Sequence, residues 1–115
     1  MNKNTILRFR AANKDIFNMI RLGKKCIETR AATKKYRNIS SGDGIIFICG
    51  TKKFTKQVAK VSRFRSIHAM LHVYDVKDIM PSLNSEKELR EAYYRCPNYK
   101  EKIQKNGLIA LEFEK

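Results

Sequence analysis

Gly23-Lys24-Lys25-Cys26-Ile27-Glu28-Thr29-Arg30 is the stretch on which the reading of this chain depends. A glycine tolerates the positive φ that ends a helix, so Gly23 marks a stop and residues 25 to 30 a strand. In a regular strand Cys26, Glu28 and Arg30 share one face, while Lys25 joins Ile27 and Thr29 on the other. Lys25 and Glu28 can therefore meet only if the chain just after Gly23 is still turning. Where they meet, Glu28 orients Lys25 and Arg30 and restrains their charge. Arg30 then offers a planar fork to a phosphate or a base edge, and Lys25 a point charge. A catalytic Lys25 would need a depressed pKa. Lys24 and Arg30 push it down and Glu28 pushes it up, so the sign stays open at this level.

Upstream, residues 5 to 10 alternate Ile6, Arg8 and Arg10 with Leu7 and Phe9, a strand pattern. Asn13 is placed to cap a short helix with an apolar face of Ile16, Phe17 and Ile20. Downstream, residues 34 to 38 form a basic loop, and Ser41-Gly42-Asp43-Gly44 is a turn into an apolar strand from Ile45 to Cys49. In residues 54 to 65, Phe54 and Val58 have one parity and Val61 the other, which predicts a bulge between them. Ser66 caps a helix running to His72, with Ile67, Met70 and Leu71 inward. One helical turn is predicted over Val76 to Met80, closed by Pro81. Ser85 and Glu88 have capping-box spacing ahead of a helix whose buried stripe is Leu89, Ala92, Tyr93 and Cys96. Pro97 ends that helix. A basic amphipathic turn over residues 98 to 105 stops at Gly107, and a last strand sets Ile109, Leu111 and Phe113 on one face.

Strands at both ends, helices between them and no βαβ rhythm or repeat predict an α+β fold. The best fit is a small, mostly antiparallel β-barrel flanked by short helices, with residues 1–115 as a single domain. The 115 residues are 43% hydrophobic and 31% charged, a globular composition. The longest apolar run, Ile45 to Cys49, is too short to cross a bilayer, and no hydrophobic segment follows the N-terminus. The expectation is a cytoplasmic or nuclear protein that is not secreted. Three cysteines, Cys26, Cys49 and Cys96, form no Cys-x-x-Cys pair, so they read as reduced, buried thiols and predict no metal site. His68 and His72 have the i, i+4 spacing of a two-histidine metal site. No Glu follows His68 and no third ligand is clustered in sequence, so they read as one partly packed and one exposed helix histidine. No cofactor is expected.

The net charge is +14, and its position matters more than its size. Residues 1–65 hold 17 Lys+Arg and 3 acids, whereas residues 66–115 hold 8 of each. A polarised excess of this kind predicts an anionic partner, with nucleic acid ahead of an anionic membrane. Lys34, Lys35, Arg37, Lys52, Lys53, Lys56, Lys60, Arg63 and Arg65 form the phosphate-tracking set, interleaved with Phe54 and Phe64, which are expected to point into the core. Tyr94 lies off the buried stripe beside Arg90 and Arg95, where it could stack on a base. Glu91 and Arg95 also form an i, i+4 pair.

Gly23, Lys25, Glu28 and Arg30 fill the four positions of a G-x-K-x-x-E-x-R signature, and with it the chain resembles the ASCH domains of the PUA-like superfamily. The likeness continues in order through Ile39-x-x-Gly42-Asp43-x-Ile45-x-Phe47 and Ser66-Ile67-x-x-Met70-Leu71. It resumes at Met80-Pro81 with Ser85 beyond, at Tyr94-Arg95, and at the closing residues Gly107 to Phe113. Close relatives often carry Gly where this chain has Ser82. The resemblance implies a five- or six-stranded barrel flanked by helices, with RNA bound in a cleft beside the signature. Lys24, Lys25, Arg30, Lys34, Lys35, Arg37, Lys52, Lys53, Arg63, Arg65, Tyr94 and Arg95 are the residues expected to contact RNA, single-stranded or structured. Some similar domains cleave single-stranded RNA. One branch is an amidohydrolase acting on acetylated cytidine, with a Lys at the position of Lys25 and a Thr at that of Glu28. This chain keeps the Lys and has Glu for the Thr. In an enzyme, Lys25 and Glu28 would be the catalytic, proton-transferring pair.

Overall fold

Five strands form one sheet in the order β1-β3-β4-β5-β2, curled into a half-barrel, in the computed structural model, which describes residues 2–114. The strands are β1 (Asn4–Arg8), β2 (Ile27–Ala31), β3 (Gly44–Cys49), β4 (Lys52–Phe64) and β5 (Leu108–Phe113). Only β1 and β3 pair in parallel; the other three pairings are antiparallel. The helices are α1 (Lys14–Arg21), α2 (Ile67–Met70), α3 (Val76–Ile79), α4 (Glu86–Tyr94) and α5 (Tyr99–Asn106). The expected α+β architecture is therefore present. β1 and β2 are its two unpaired edges, and both contribute to the site described below.

β5 holds the two halves of the core together. Its alternate residues Ile109, Leu111 and Phe113 face the barrel interior with Leu7, Phe17, Ile20, Phe47 and Val58. Leu108 and Ala110 point the other way, into a second core with Ile27, Met70, Ile79, Leu89 and Ile103 from β2 and the helices. A strand buried on both faces reads as a continuous apolar run, as Leu108-Ile109-Ala110-Leu111 does. The expected bulge in β4 is present. The register passes from Val58 opposite Phe113 to Lys60 opposite Glu112, so Ala59 is the extra residue. That insertion lets Val58 and Val61, of opposite parity, both face inward.

The helix ends follow local chemistry with some differences from expectation, the first being that α2 stops at Met70, with Leu71 as its C-cap, rather than running to His72. Ser66 and Ser85 cap α2 and α4 by accepting from the N–H groups of Ala69 and Glu88, as their spacing predicts. Asn13 occupies the N-cap of α1, yet its side chain makes no capping bond. α4 ends at Tyr94, so Cys96 falls past the last turn and is exposed rather than buried on the stripe. His68 and His72 are both exposed. At the end of α5, Gly107 has φ +75°, and a Cβ there would stand 2.4 Å from the carbonyl oxygen of Phe64. Only glycine fits this junction between helix, β4 and β5.

Candidate functional site

The free edge of β2 explains the spacing of the Gly23–Arg30 segment. The Phe113 N–H bonds to the Cys26 carbonyl and the Ala32 N–H to the Gly107 carbonyl, so even-numbered residues of β2 pair with β5. The odd ones therefore turn their backbone groups toward the open edge. The bonds observed at that edge come from side chains, apart from the Thr33 N–H, which donates to the Ala31 carbonyl at 2.7 Å. The buried Lys25 ammonium donates to the Ile27 carbonyl at 2.5 Å and also to the Ile79 carbonyl. The Glu28 carboxylate accepts from the Thr29 N–H at 3.2 Å. The Tyr99 hydroxyl accepts from the Ala31 N–H at 3.0 Å. An edge strand left bare would expose these groups to pairing with another chain.

The turn after Gly23 brings Lys25 and Glu28 together. Gly23 has φ +79°, and β2 does not begin until Ile27, so the ammonium reaches Oε1 of Glu28 at 3.6 Å. Arg30 reaches the other oxygen at 3.0 Å. Burial alone would raise the Glu28 pKa, but the Arg30 guanidinium and then the Lys25 ammonium outweigh it and hold the carboxyl below its ordinary range. For Lys25 the balance tips the other way: burial lowers its pKa more than Glu28 raises it. That fixes the sign that spacing left open. Burial opposes the charge of Arg30 as well, but there Glu28 prevails and the pKa is raised.

A cleft of about 770 Å³ opens where the end of β1 faces β2, with α4 and α5 as its far wall. Glu28, Thr29 and Arg30 line it from β2, and Arg8, Phe9 and Arg10 from the end of β1 and beyond. Tyr93, Arg95, Cys96, Tyr99 and Lys102 line it from the helical side. Five cationic side chains thus face a single carboxylate that is already neutralised. The Arg30 guanidinium sits 5.5 Å from the centre of the Phe9 ring and 5.8 Å from that of Tyr36, so cation–π contacts on two rings steer it toward the opening. Tyr93 and Tyr99 are nearly parallel, at 14° with ring centres 6.2 Å apart. The Tyr93 hydroxyl bonds the Thr29 hydroxyl, and burial pushes both tyrosine pKa values up, so both phenols stay protonated. The site can hold an anion on the Arg30 guanidinium, which Glu28 fixes, with exposed cationic side chains around it and flat aromatic surfaces beside it.

Not all of the residues singled out from sequence reach the cleft. Glu28, Arg30 and Arg95 line the cleft, while Lys25 stands behind it as the group that orients Glu28. Lys34, Lys35 and Arg37 are exposed in the loop after β2, and Arg63 and Arg65 are exposed at the end of β4. Both segments flank Leu108, which pairs with Ala31 on one side and Phe64 on the other. Lys52 and Lys53 start β4 opposite Cys49 and Ile48, and Ile48 pairs with Arg8, so they stand beside the strand that delivers Arg8 to Arg10. Lys24 is exposed in the turn after Gly23. Tyr94 is also exposed but does not line the cleft; the Lys100 ammonium lies 5.8 Å from its ring centre. Its neighbour Tyr93 and the more distant Tyr99 take the aromatic positions. Phe54 and Phe64 pack on the two cores as expected. Sequence reasoning missed Arg8, Phe9, Arg10, Tyr93, Tyr99 and Lys102. The signal for Tyr93 was its inward position, which reads as core until a cavity is found there.

Among the described residues no group of three or more His, Cys, Asp or Glu side chains is arranged to hold a metal ion. None of the described helices is long and apolar enough to cross a membrane. Two solved structures are similar over almost their whole length. The crystal structure of hypothetical protein PH0355 is 29% identical, with a TM-score of 0.81 over 99% of this chain and 98% of that one. The NMR structure of protein PF0455 from Pyrococcus furiosus is also 29% identical, with a TM-score of 0.74 over 96% of each chain. No curated protein sequence matches. The family model described as the ASCH domain matches residues 12–115, nearly everything beyond β1. The chain is therefore a member of the ASCH domain family, with its PUA-like fold.

Proposed function

We propose that this protein binds RNA, with one nucleotide entering the cleft beside Arg30 and the flanking strand running over the basic surface. The observation that carries the reading is the cleft's charge and chemistry. Arg8, Arg10, Arg30, Arg95 and Lys102 face Glu28 alone, beside the rings of Phe9, Tyr93 and Tyr99. Guanidinium forks suit phosphate and base edges, and flat rings suit bases. The ASCH domain is a PUA-like fold often associated with RNA binding, which points the same way. Lys34, Lys35, Arg37, Arg63 and Arg65 would track phosphates on one side of the opening, with Lys52 and Lys53 on the other. Affinity should fall steeply with salt, because each phosphate contact releases counterions. Fluorescence anisotropy with single-stranded and hairpin RNA tests this. Arg30→Ala should weaken both, and reversing the charge of Lys34, Lys35 and Arg37 should abolish binding at low salt. Unchanged affinity in that triple variant overturns the reading.

A second reading, an enzyme acting on RNA or a modified nucleoside, is favoured by the lowered pKa of Lys25 in contact with Glu28. It is opposed by the enclosure of Lys25, whose ammonium is engaged by two carbonyls away from the cleft lining. Incubation with labelled RNA and, separately, acetylated cytidine distinguishes the two readings. Turnover above a Lys25→Ala control would establish the enzyme.

A further inference from the structure

We propose that His68 and His72 form a surface chelate for a divalent transition-metal ion of the copper, nickel or zinc class, oriented by Glu86. His68 lies on α2, and His72 follows one turn later, just past its C-cap Leu71. Their Nε2 atoms face each other at 3.4 Å, with ring planes at 89°. Two nitrogens each about 2.05 Å from a tetrahedral ion stand about 3.3 Å apart, so the pair is already spaced as ligands. The same distance is longer than an ordinary hydrogen bond to nitrogen prefers.

The support behind the pair is what separates it from a chance helical spacing. His68 Nδ1 lies 3.2 Å from Oε1 of Glu86, the first residue of α4. The other oxygen of Glu86 accepts from Arg90 at 2.8 Å, which fixes the carboxylate. A histidine that donates Nδ1–H to a carboxylate presents a bare Nε2 lone pair of increased basicity, the arrangement that orients metal-bound imidazoles. Both imidazoles are exposed, which gives an ion access and lets water complete its shell. With two nitrogen ligands and no thiolate, Cu²⁺ should bind more tightly than Ni²⁺ or Zn²⁺.

Titration of untagged full-length protein carrying Cys96→Ser, which removes the exposed thiol, tests the site. Calorimetry with CuCl2 and ZnCl2 should give one ion per chain, and Zn²⁺ should shift the ring proton resonances of both histidines in NMR. His72→Ala should weaken binding about tenfold or more, because a lone imidazole loses the chelate. Glu86→Gln should weaken it about tenfold with both ligands still present. Because these side chains lie at the surface, each variant's unfolding midpoint in EDTA should match that of the parent. Equal affinity in the parent and His72→Ala, or no histidine shift up to millimolar Zn²⁺, overturns the proposal.

Discussion

Replacing Glu28 with Gln removes one charge and almost no volume, so it isolates what the carboxylate does. In the folded protein Glu28 stands between the Lys25 ammonium at 3.6 Å and the Arg30 guanidinium at 3.0 Å, and both Lys25 and Glu28 are buried. At an effective dielectric of about 20, two unit charges 3.6 Å apart attract by about 4.6 kcal/mol. Without its partner, Lys25 can escape an unpaired buried charge by losing its proton. From an ordinary value of 10.5, that costs about 4.8 kcal/mol at pH 7, at roughly 1.36 kcal/mol per pH unit. Arg30 is partly exposed and adds less, because water can replace the lost partner. The glutamine carbonyl can still accept one hydrogen bond. The net loss should be about 3 kcal/mol, at the lower end of what breaking a buried pair costs.

The pH dependence gives that number a signature. Glu28 has a folded pKa below its ordinary 4.5. Its contribution is therefore complete above that value and disappears as pH falls through the folded pKa. The gap between wild type and Glu28→Gln should close in acid, where wild type carries a neutral carboxyl too. On the alkaline side, deprotonating Lys25 becomes cheaper, so the variant should regain stability and the gap should narrow again. Urea unfolding at several pH values reads this directly. With a slope of about 1.5 kcal/mol per molar urea, the midpoint should drop by about 2 M at pH 7. A loss below about 1 kcal/mol, or a gap constant from pH 3 to 9, would refute the charge argument.

Three further outcomes follow from the same geometry. Gly107→Ala should cost more than about 2 kcal/mol and show as an early urea midpoint, because the new Cβ would meet the Phe64 carbonyl at 2.4 Å in a left-handed backbone. Tyr99→Phe leaves the Ala31 N–H at the β2 edge without its hydroxyl partner. It should cost about 1 kcal/mol and, by the same energy, speed amide exchange at Ala31 about fivefold. In RNA titrations across salt concentrations, a double Arg8→Ala and Lys102→Ala variant should lose affinity and flatten the salt slope by about one to two units, one per lost phosphate contact. An unchanged slope would remove both residues from the RNA path.

Much of this fold was legible because its signals are local. Serine caps at Ser66 and Ser85, the parity break between Val58 and Val61 and the stop at Gly107 each depend on a few neighbouring residues. The cleft was less legible because it is made of long-range contacts. Tyr93 shares the helical stripe of Leu89, and an inward tyrosine beside a cavity has the same periodicity as one in a solid core. Arg8 and Arg10 read as the polar face of a strand. Only the parallel pairing of β1 with β3 carries them to the rim of the site. The family match begins at residue 12, so a motif reading cannot assign them either. Cys96 shows the converse error: its stripe position assumed a helix that ends two residues earlier.

The uneven charge along the chain takes a different form in three dimensions. Residues 1–65 carry the whole formal excess, which suggested a basic half and a neutral one. The cleft divides differently, because Arg8, Arg10 and Arg30 come from the first half and Arg95 and Lys102 from the second. The neutral half has cations to contribute because some of its acids are engaged elsewhere. Glu86 is held by His68 and Arg90, and Glu112 accepts from Tyr74. Within the cleft, the lone carboxylate of Glu28 is spent on Lys25, Arg30 and the Thr29 N–H. A ligand entering there meets guanidinium and ammonium groups from both halves and no free carboxylate. Neutrality of a segment therefore says little about its contribution to an anion site, which depends on how many of its carboxylates are already committed.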